Sequence, residues 1–194
     1  MNESGVGMTA IEITRRAFNV YDYARMRESG ILTEADHVEL LDGDIRVMSP
    51  IGPLHAAIVS KIVKYLTAQL GDTAIVSPQN PVRLSDYSEP QPDLAVLQYR
   101  DDFYAQAHPT ADDILILIEV ADSTIAYDRG EKIPRYAAAG IPEAWIVDLT
   151  QQMIEQYTAP TRGQYTRILR LFPGDTITSP IVSGLALPVG TLVG

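Results

Sequence analysis

Residues 114–121 read Ile-Leu-Ile-Leu-Ile-Glu-Val-Ala, an apolar run interrupted once, by Glu119. Period-2 alternation of apolar and polar residues, typical of a strand with one wet face, is absent. A short continuous apolar run of this kind is typical of a strand that is covered on both faces. The stretch therefore predicts the central strand of a sheet, with one acid near its carboxyl end.

Sequence patterns on both sides of this strand predict further helices, strands and turns. Apolar residues at helical spacing, alternation and turn signals divide the chain without any long linker or internal repeat. In chain order, the predicted elements are a helix at 18–29 capped by Asn19 and ended by Gly30, a hairpin at 38–48 around Asp42-Gly43, a helix at 55–70, strands at 74–84 (broken near Pro78 and Pro81), 93–98 and 114–121, a helix at 129–139, and strands at 144–148 and 153–157. The tail from Thr166 is predicted to form short extended pieces.

This order predicts an α/β (α+β) fold. Strands before and after a crossover helix indicate a mixed sheet with helices packed on it, preceded by an N-terminal helix and a β-hairpin. We expect residues 1–14 to be a flexible lead-in and residues 15–194 to form a single domain, since 194 residues suit one core.

Composition excludes several classes of protein. The chain contains no cysteine, so it has neither disulfides nor thiolate zinc sites. No apolar run is long enough for a membrane helix, and residues 1–9 lack the layout of a signal peptide, so we expect a cytoplasmic protein. The formal net charge of −10 argues against a broad nucleic-acid-coating surface, although it leaves room for a local basic groove.

Two acids stand at the ends of apolar strands. Asp93 opens the strand 93–98 and Glu119 lies near the end of the strand 114–121. A buried charge costs several kcal/mol, on the order of 3–5, unless it is paired or binds a cation. Two neighbouring carboxylates would suit Mg²⁺ or Mn²⁺, which prefer oxygen ligands. Glu119 could equally cap its strand or pair with an arginine.

Lys132 follows these acids after a short loop. It lies four residues after Asp128, so both side chains share one helix face. From the first turn of that helix, a lysine can return to the strand end and offset charge on a phosphate transition state. The alternative is a solvated lysine paired with Asp128.

At these residues the chain resembles a known family. The segments Gln91-Pro92-Asp93-Leu94-Ala95-Val96, Leu117 to Thr124, Tyr127 to Lys132 and Tyr136 to Asp148, together with 38–45 and 48–55 upstream, resemble the Uma restriction-endonuclease-like family of the PD-(D/E)XK nuclease superfamily. The similarity covers about residues 15–190. It implies the restriction-endonuclease-like fold, a mixed sheet flanked by helices.

The resemblance also implies roles for individual residues. Asp93 and Glu119 match the two metal-binding acids, with the backbone carbonyl of Val120 as a further ligand. The superfamily lysine would stand at Ala121, so Lys132 takes that role from the following helix. Glu39 resembles a third acid of the family. His55 resembles the polar residue that opens the long helix.

For Glu39 a solvated strand position is the alternative, and for His55 a structural role at the helix start. The resemblance implies an endonuclease that hydrolyses DNA phosphodiester bonds with Mg²⁺, or with Mn²⁺. Phosphate contacts are expected from basic residues such as Lys61, Lys64, Arg83, Arg129 and Arg135.

Two other functions stay open: a catalytically inactive binding or assembly module, and a phosphoesterase that acts on a smaller nucleotide. A homodimer is a further expectation, because enzymes that cut both strands often have two-fold symmetry, and the tyrosine-containing first helix could supply the contact.

Overall fold

The computed structural model describes residues 15–194, and the predicted lead-in at 1–14 lies outside these residues. The helices are α1 (Val20–Glu28), α2 (Pro53–Leu70), α3 (Ile125–Tyr127), α4 (Ile133–Ala138) and α5 (Gly190–Val193), with a π-helical segment (Asp128–Lys132) between α3 and α4. The strands are β1 (Val38–Leu41), β2 (Asp44–Val47), β3 (Ala74–Pro78), β4 (Leu94–Gln98), β5 (Ile114–Ala121), β6 (Glu143–Asp148), β7 (Met153–Thr161), β8 (Gln164–Leu171), β9 (Thr176–Thr178) and β10 (Ala186–Pro188).

The main sheet has six strands in the order β3-β4-β5-β6-β7-β8. Neighbours are antiparallel except β5 and β6, which are parallel. A parallel pair needs a crossover, and here α3, the π-helical segment and α4 supply it. The predicted mixed sheet is thus confirmed, and β5 has the predicted bounds.

Both faces of this sheet are covered. On one face, side chains of β5 such as Ile116 and Ile118 pack with Ile62 and Leu66 of α2 and with the C-terminal segment. On the other face, Leu117 and its neighbours pack with residues of α4. The continuous apolar run of β5 is explained by these two cores, because alternate side chains of a strand point to opposite faces.

The N-terminal elements form a smaller unit at one end of the sheet. Asn19 caps α1 by accepting a hydrogen bond from the Asp22 N–H at 2.8 Å, as predicted. The hydroxyl of Tyr23 donates to the carbonyl of Val38 at 2.7 Å and so joins α1 to β1. Strands β1 and β2 pair around Asp42-Gly43, the predicted hairpin turn.

The structure differs from the predicted elements in the crossover and in the tail. Helical structure begins at Ile125 rather than at Arg129, because α3 and the π-helical segment precede α4. Strand β3 ends at Pro78, where the predicted strand 74–84 is broken, since proline cannot donate to a sheet ladder. The tail contains a full strand, β8, which pairs with β7 but is exposed along most of its length, so its apolar pattern is weak.

Within residues 15–194, no helix is both long enough and apolar enough to span a membrane.

Glu143, the first residue of β6, carries a buried carboxylate. Glu143 accepts hydrogen bonds from Trp145 Nε1 and Gln156 Nε2, both at 2.6 Å, and from the Ser179 hydroxyl. Burial raises the pKa of Glu143, although these three hydrogen bonds act in the opposite direction. Trp145 is the one tryptophan of the chain, so its fluorescence reports directly on this region.

Glycine is required at the turn between β1 and β2. Gly43 has φ of +80°, and a Cβ there would meet the Ala17 Cβ at 2.5 Å. We expect Gly43→Ala to lower the free energy of unfolding by about 2–4 kcal/mol, from the left-handed backbone and the clash together. Gly30 is the matched control, because it has φ of +75° but open space around it. Gly30→Ala should cost only about 1–2 kcal/mol in the same urea titration; equal losses at both positions would contradict the steric argument.

The raised pKa of Glu143 predicts a pH dependence of stability. The folded state keeps the Glu143 proton at a pH where the unfolded state, with its ordinary pKa of 4.5, has lost it. The contribution of Glu143 to stability therefore falls as pH rises above about 4.5, by at most about 1.4 kcal/mol per pH unit. In urea titrations followed by Trp145 fluorescence from pH 4 to 7, wild type should lose stability relative to Glu143→Gln. A constant difference between the two proteins would sink this prediction.

Candidate active site

A cleft of about 840 Å³ opens where β5 leads into the crossover. Its lining includes all the residues that the sequence singled out, namely Asp93, Glu119, Lys132, Glu39, His55 and Val120. These residues come from the hairpin, from α2, from β5, from the residue before β4 and from the π-helical segment. The fold thus brings together side chains that are separated by as many as 93 positions in the chain.

Asp93 is held by two neighbouring elements. Its Oδ2 accepts the backbone N–H of Val120 at 2.8 Å and lies 3.0 Å from Nε2 of His55. Asp93 directly precedes β4, and Glu119 is in the antiparallel neighbour β5. The two acids therefore meet at the same end of two hydrogen-bonded strands. Val120 contributes its N–H to this arrangement; a role for its carbonyl stays a prediction.

Glu119 is almost completely buried, with 2% of its surface exposed. Its Oε2 lies 3.2 Å from Nζ of Lys132, and its Oε1 accepts the hydroxyl of Tyr136. Burial raises the pKa of Glu119 well above its ordinary value, and Asp128 and Asp93 raise it further, while the Lys132 ammonium and the Tyr136 hydroxyl lower it. Burial therefore favours the protonated form of Glu119, whereas the neighbouring ammonium of Lys132 favours the ionised form.

Lys132 does not lie in solvent, so the alternative of an exposed lysine paired with Asp128 is wrong. Its side chain is 8% exposed, and Nζ reaches Glu119 and also Glu39, at 3.7 Å. Burial alone would lower the pKa of Lys132, but the carboxylates of Glu119 and Glu39 outweigh it and the pKa is raised. The ammonium thus stays charged inside the protein and links the crossover to β5 and to β1.

Glu39 is buried as well, which excludes the solvated strand position. Its Oε1 accepts the hydroxyl of Tyr127 at 3.1 Å, and its Oε2 accepts the backbone N–H of Gln91 at 3.1 Å. The first partner comes from α3 and the second from the loop before Asp93. Glu39 therefore fixes the hairpin against both walls of the cleft.

His55 occupies the third position of α2, with Pro53 at the first. The hydrogen bond to Asp93 raises the pKa of His55, and this contribution exceeds the lowering by burial. Among residues 15–194, its Nδ1 is the one buried side-chain polar atom without a hydrogen-bond partner. His55 therefore lies in the first turn of α2, and the same imidazole ring contacts Asp93 at the cleft.

Several residues at the site were missed from the sequence, including Tyr127, which lines the cleft and donates to Glu39. Tyr136 donates to Glu119, and Asp128, which is buried, lines the cleft and accepts the Thr124 hydroxyl at 2.7 Å. A signal for Tyr136 was available, because Lys132 and Tyr136 are four residues apart on one helical face. The π-helical segment that carries Asp128 and Lys132 leaves no comparable sequence pattern; such segments are frequent at functional sites.

The lining of the cleft is strongly acidic. It contains five carboxylates, those of Glu39, Asp93, Glu119, Asp122 and Asp128, against one ammonium, that of Lys132, and two histidines. Such an excess of carboxylates attracts cations. Residues 15–194 contain no group of three or more His, Cys, Asp or Glu side chains placed to share one metal ion. Asp93 and Glu119 offer two carboxylates at one end of neighbouring strands, and Mg²⁺ is commonly held by one or two carboxylates plus water and substrate.

The basic residues expected to contact phosphate do not line the cleft. Arg83 pairs with Asp86, Arg135 pairs with Asp42, and Lys61 donates to the carbonyl of Gly194. Lys64 is exposed on α2. Arg129 pairs with Glu155 beside the crossover. None of these five residues is therefore in place to contact a phosphate inside the cleft.

The model of the Uma2 family, described as "Putative restriction endonuclease", matches residues 20–190. The chain belongs to the Uma2 family. This Uma2 protein matches none of the curated proteins searched.

A solved structure supports the fold of this Uma2 protein. It is titled as a "putative nuclease belonging to DUF820" from Anabaena variabilis, and it superposes with a TM-score of 0.68 at 14% identity, covering 90% of this chain and 97% of the other. At this identity the likeness shows the fold alone, which is the nuclease-type mixed sheet flanked by helices.

The buried lysine of the Uma2 site predicts a large effect on stability. Lys132→Met would leave Glu119 and Glu39 without their cation, so we expect the free energy of unfolding to fall by about 3–5 kcal/mol. Lys64→Met, which removes an exposed lysine, should change it by no more than about 0.5 kcal/mol. Urea titration provides the measurement.

The double variant Lys132→Met/Glu119→Gln tests the cause. It removes one of the carboxylates that Lys132→Met leaves unpaired, and should recover part of the lost stability. A double variant as unstable as the sum of the two single variants would show that Lys132 acts through packing rather than through charge.

Proposed function

We propose that this Uma2 protein is a metal-dependent endonuclease that hydrolyses phosphodiester bonds of DNA. The observation that carries the proposal is the convergence of Asp93, Glu119 and Lys132 in one acidic cleft. Membership of a family described as "Putative restriction endonuclease" points in the same direction.

A divalent cation would be held by the carboxylates of Asp93 and Glu119, with the carbonyl of Val120 as the further ligand. Mg²⁺ suits these oxygen donors, and Mn²⁺ is the alternative. When bound, such an ion polarises a phosphate oxygen and lowers the pKa of a water molecule. The five carboxylates of the cleft would repel a phosphate unless a cation stood between them.

The remaining residues would orient these groups. His55 holds Asp93 through Nε2, and Tyr136 holds one oxygen of Glu119. Lys132 lies against the other oxygen of Glu119, where its ammonium would offset negative charge that develops on the phosphate during attack by water. Glu39 keeps this ammonium close from the opposite side.

A second candidate is a phosphoesterase that acts on a smaller nucleotide. The cleft of about 840 Å³ lies within the range of sites for small ligands, roughly 300–1,000 Å³. Among residues 15–194, Lys132 is the one lysine or arginine that lines the cleft, and this scarcity of basic side chains favours the candidate over wrapping of a long duplex. The predicted homodimer and cytoplasmic location stay predictions.

Cleavage assays test the proposal. Wild type should cut plasmid and oligonucleotide DNA with Mg²⁺ or Mn²⁺ and stop in EDTA. Asp93→Asn, Glu119→Gln and Lys132→Met should each lower the rate on the order of 100-fold or more, since each removes a group that acts on the reacting phosphate. Rates are compared at a temperature where each variant is shown to be folded.

Glu143→Gln is the matched control, because it neutralises a buried carboxylate of the neighbouring strand that does not line the cleft. It should cut at the wild-type rate. Hydrolysis of nucleotides but not of DNA would favour the smaller substrate. No hydrolysis of either would leave the inactive binding module, and wild-type cutting by Glu119→Gln would refute the assignment of the site.

A further inference from the structure

A second, smaller cleft of about 370 Å³ lies beside the first. The two clefts share a wall, which is the short helical segment of the crossover. Thr124, Ala126 and Asp128 of this segment line the acidic cleft, whereas Ile125 and Arg129 line the second cleft. A substrate that extends over this one segment would therefore pass from one cleft into the other.

Two arginines stand over one buried carboxylate in the second cleft. Nε of Arg129 donates to Oε2 of Glu155 at 3.0 Å, and Nε of Arg170 donates to Oε1 at 3.0 Å. The Glu155 side chain is 1% exposed, while those of Arg129 and Arg170 are 44% and 65% exposed. Glu155 thus anchors both guanidiniums from behind, and both remain open to solvent.

The anchoring carboxylate is firmly ionised. Burial alone would raise the pKa of Glu155, but hydrogen bonds from Tyr157, Arg129 and Arg170 outweigh burial, and the pKa is lowered. In the hydrogen bonds formed within residues 15–194, each of the two guanidiniums uses only Nε. The terminal nitrogens of both arginines are therefore left for a ligand.

Asp148, the other acid that lines this cleft, is hydrogen-bonded within the protein. Asp148 is buried, and its Oδ1 accepts the N–H groups of Thr150 and Gln151 and the hydroxyl of Thr150, all within 3.0 Å. These hydrogen bonds hold Asp148 in the turn between β6 and β7. The groups that face outward are the two guanidiniums, and planar guanidinium groups match the oxygens of a phosphate.

We propose that Arg129 and Arg170 bind a backbone phosphate of a nucleic-acid strand whose scissile phosphate lies in the acidic cleft. This inference rests on the proposed function and specifies its substrate as a strand. A helix with its side chains is about 10–12 Å wide, so only a substrate longer than a single nucleotide would reach from the acidic cleft across the segment to the two arginines. A single nucleotide confined to the acidic cleft would not reach the two arginines.

The test is binding of a fluorescein-labelled single-stranded DNA 20-mer, followed by anisotropy at several salt concentrations, with Ca²⁺ in place of Mg²⁺ to supply an oxygen-binding cation for the acidic cleft. Arg170→Gln should weaken binding several-fold at low salt and reduce the slope of log K against log salt by about 0.7, as expected for one lost phosphate contact. Arg167→Gln is the matched control, since Arg167 is exposed on the same strand, three residues away and so on the opposite face.

A folding defect is excluded with a triple variant, Arg129→Gln/Glu155→Gln/Arg170→Gln, which leaves no unpaired buried charge. It should keep its urea midpoint and lose at least as much of the salt slope as Arg170→Gln, since it removes both guanidiniums that contact the phosphate. A wild-type slope in both variants, or failure of wild type to bind the strand, would overturn the subsite.

The two proposals can fail separately. DNA cleavage with an unchanged slope in the arginine variants refutes only the subsite. Arginine-dependent binding without cleavage refutes only the nuclease activity.

Discussion

The buried ammonium of Lys132 is the interaction on which the arrangement of the site depends. It joins the crossover to Glu119 in the central strand and to Glu39 in the hairpin. Glu39 and Glu119 are both buried, and Lys132 is the cation that lies beside each of them. Removal of the lysine would leave buried carboxylates without a positive charge, so the lysine stabilises the fold as well as joining three elements of the site.

The position of this lysine follows from the sheet. Strands β5 and β6 are parallel, so the chain must cross over between them, and the crossover begins at the end of β5 where Glu119 lies. The π-helical segment at that point turns Asp128 and Lys132 inward, next to each other. Tyr136, one turn later, reaches the same carboxylate. A single connection therefore supplies most of the side chains around Glu119, and on its outer side it supplies Arg129.

The distribution of charge limits the ways in which this protein could bind a nucleic acid. The chain is acidic overall, and its arginines are mostly paired with acids on the surface. Such a protein attracts polyanions weakly over its whole surface. Recognition of a nucleic-acid strand would then rest on a cation in the acidic cleft and on the arginine pair over Glu155, both placed along one short helical segment. Binding of this kind is local, and it favours a flexible strand over an extended duplex surface.

The sequence by itself determined the elements whose signals are local. The apolar run of β5, the Asp42-Gly43 turn, the Asn19 cap and the stripe of α2 each depend on residues within one or two turns, and all four were predictable. The resemblance added Asp93, Glu119 and Lys132 as a set. Strand β8 was missed because it is held by pairing with β7 rather than by burial of its own side chains. Only the tertiary structure decided that Glu39 and Lys132 are buried, that Tyr136 contacts Glu119, and that Arg129 and Arg170 share Glu155. These contacts join residues that are distant in the chain, and the sheet order that brings them together is set by packing of the whole core, which no local pattern encodes.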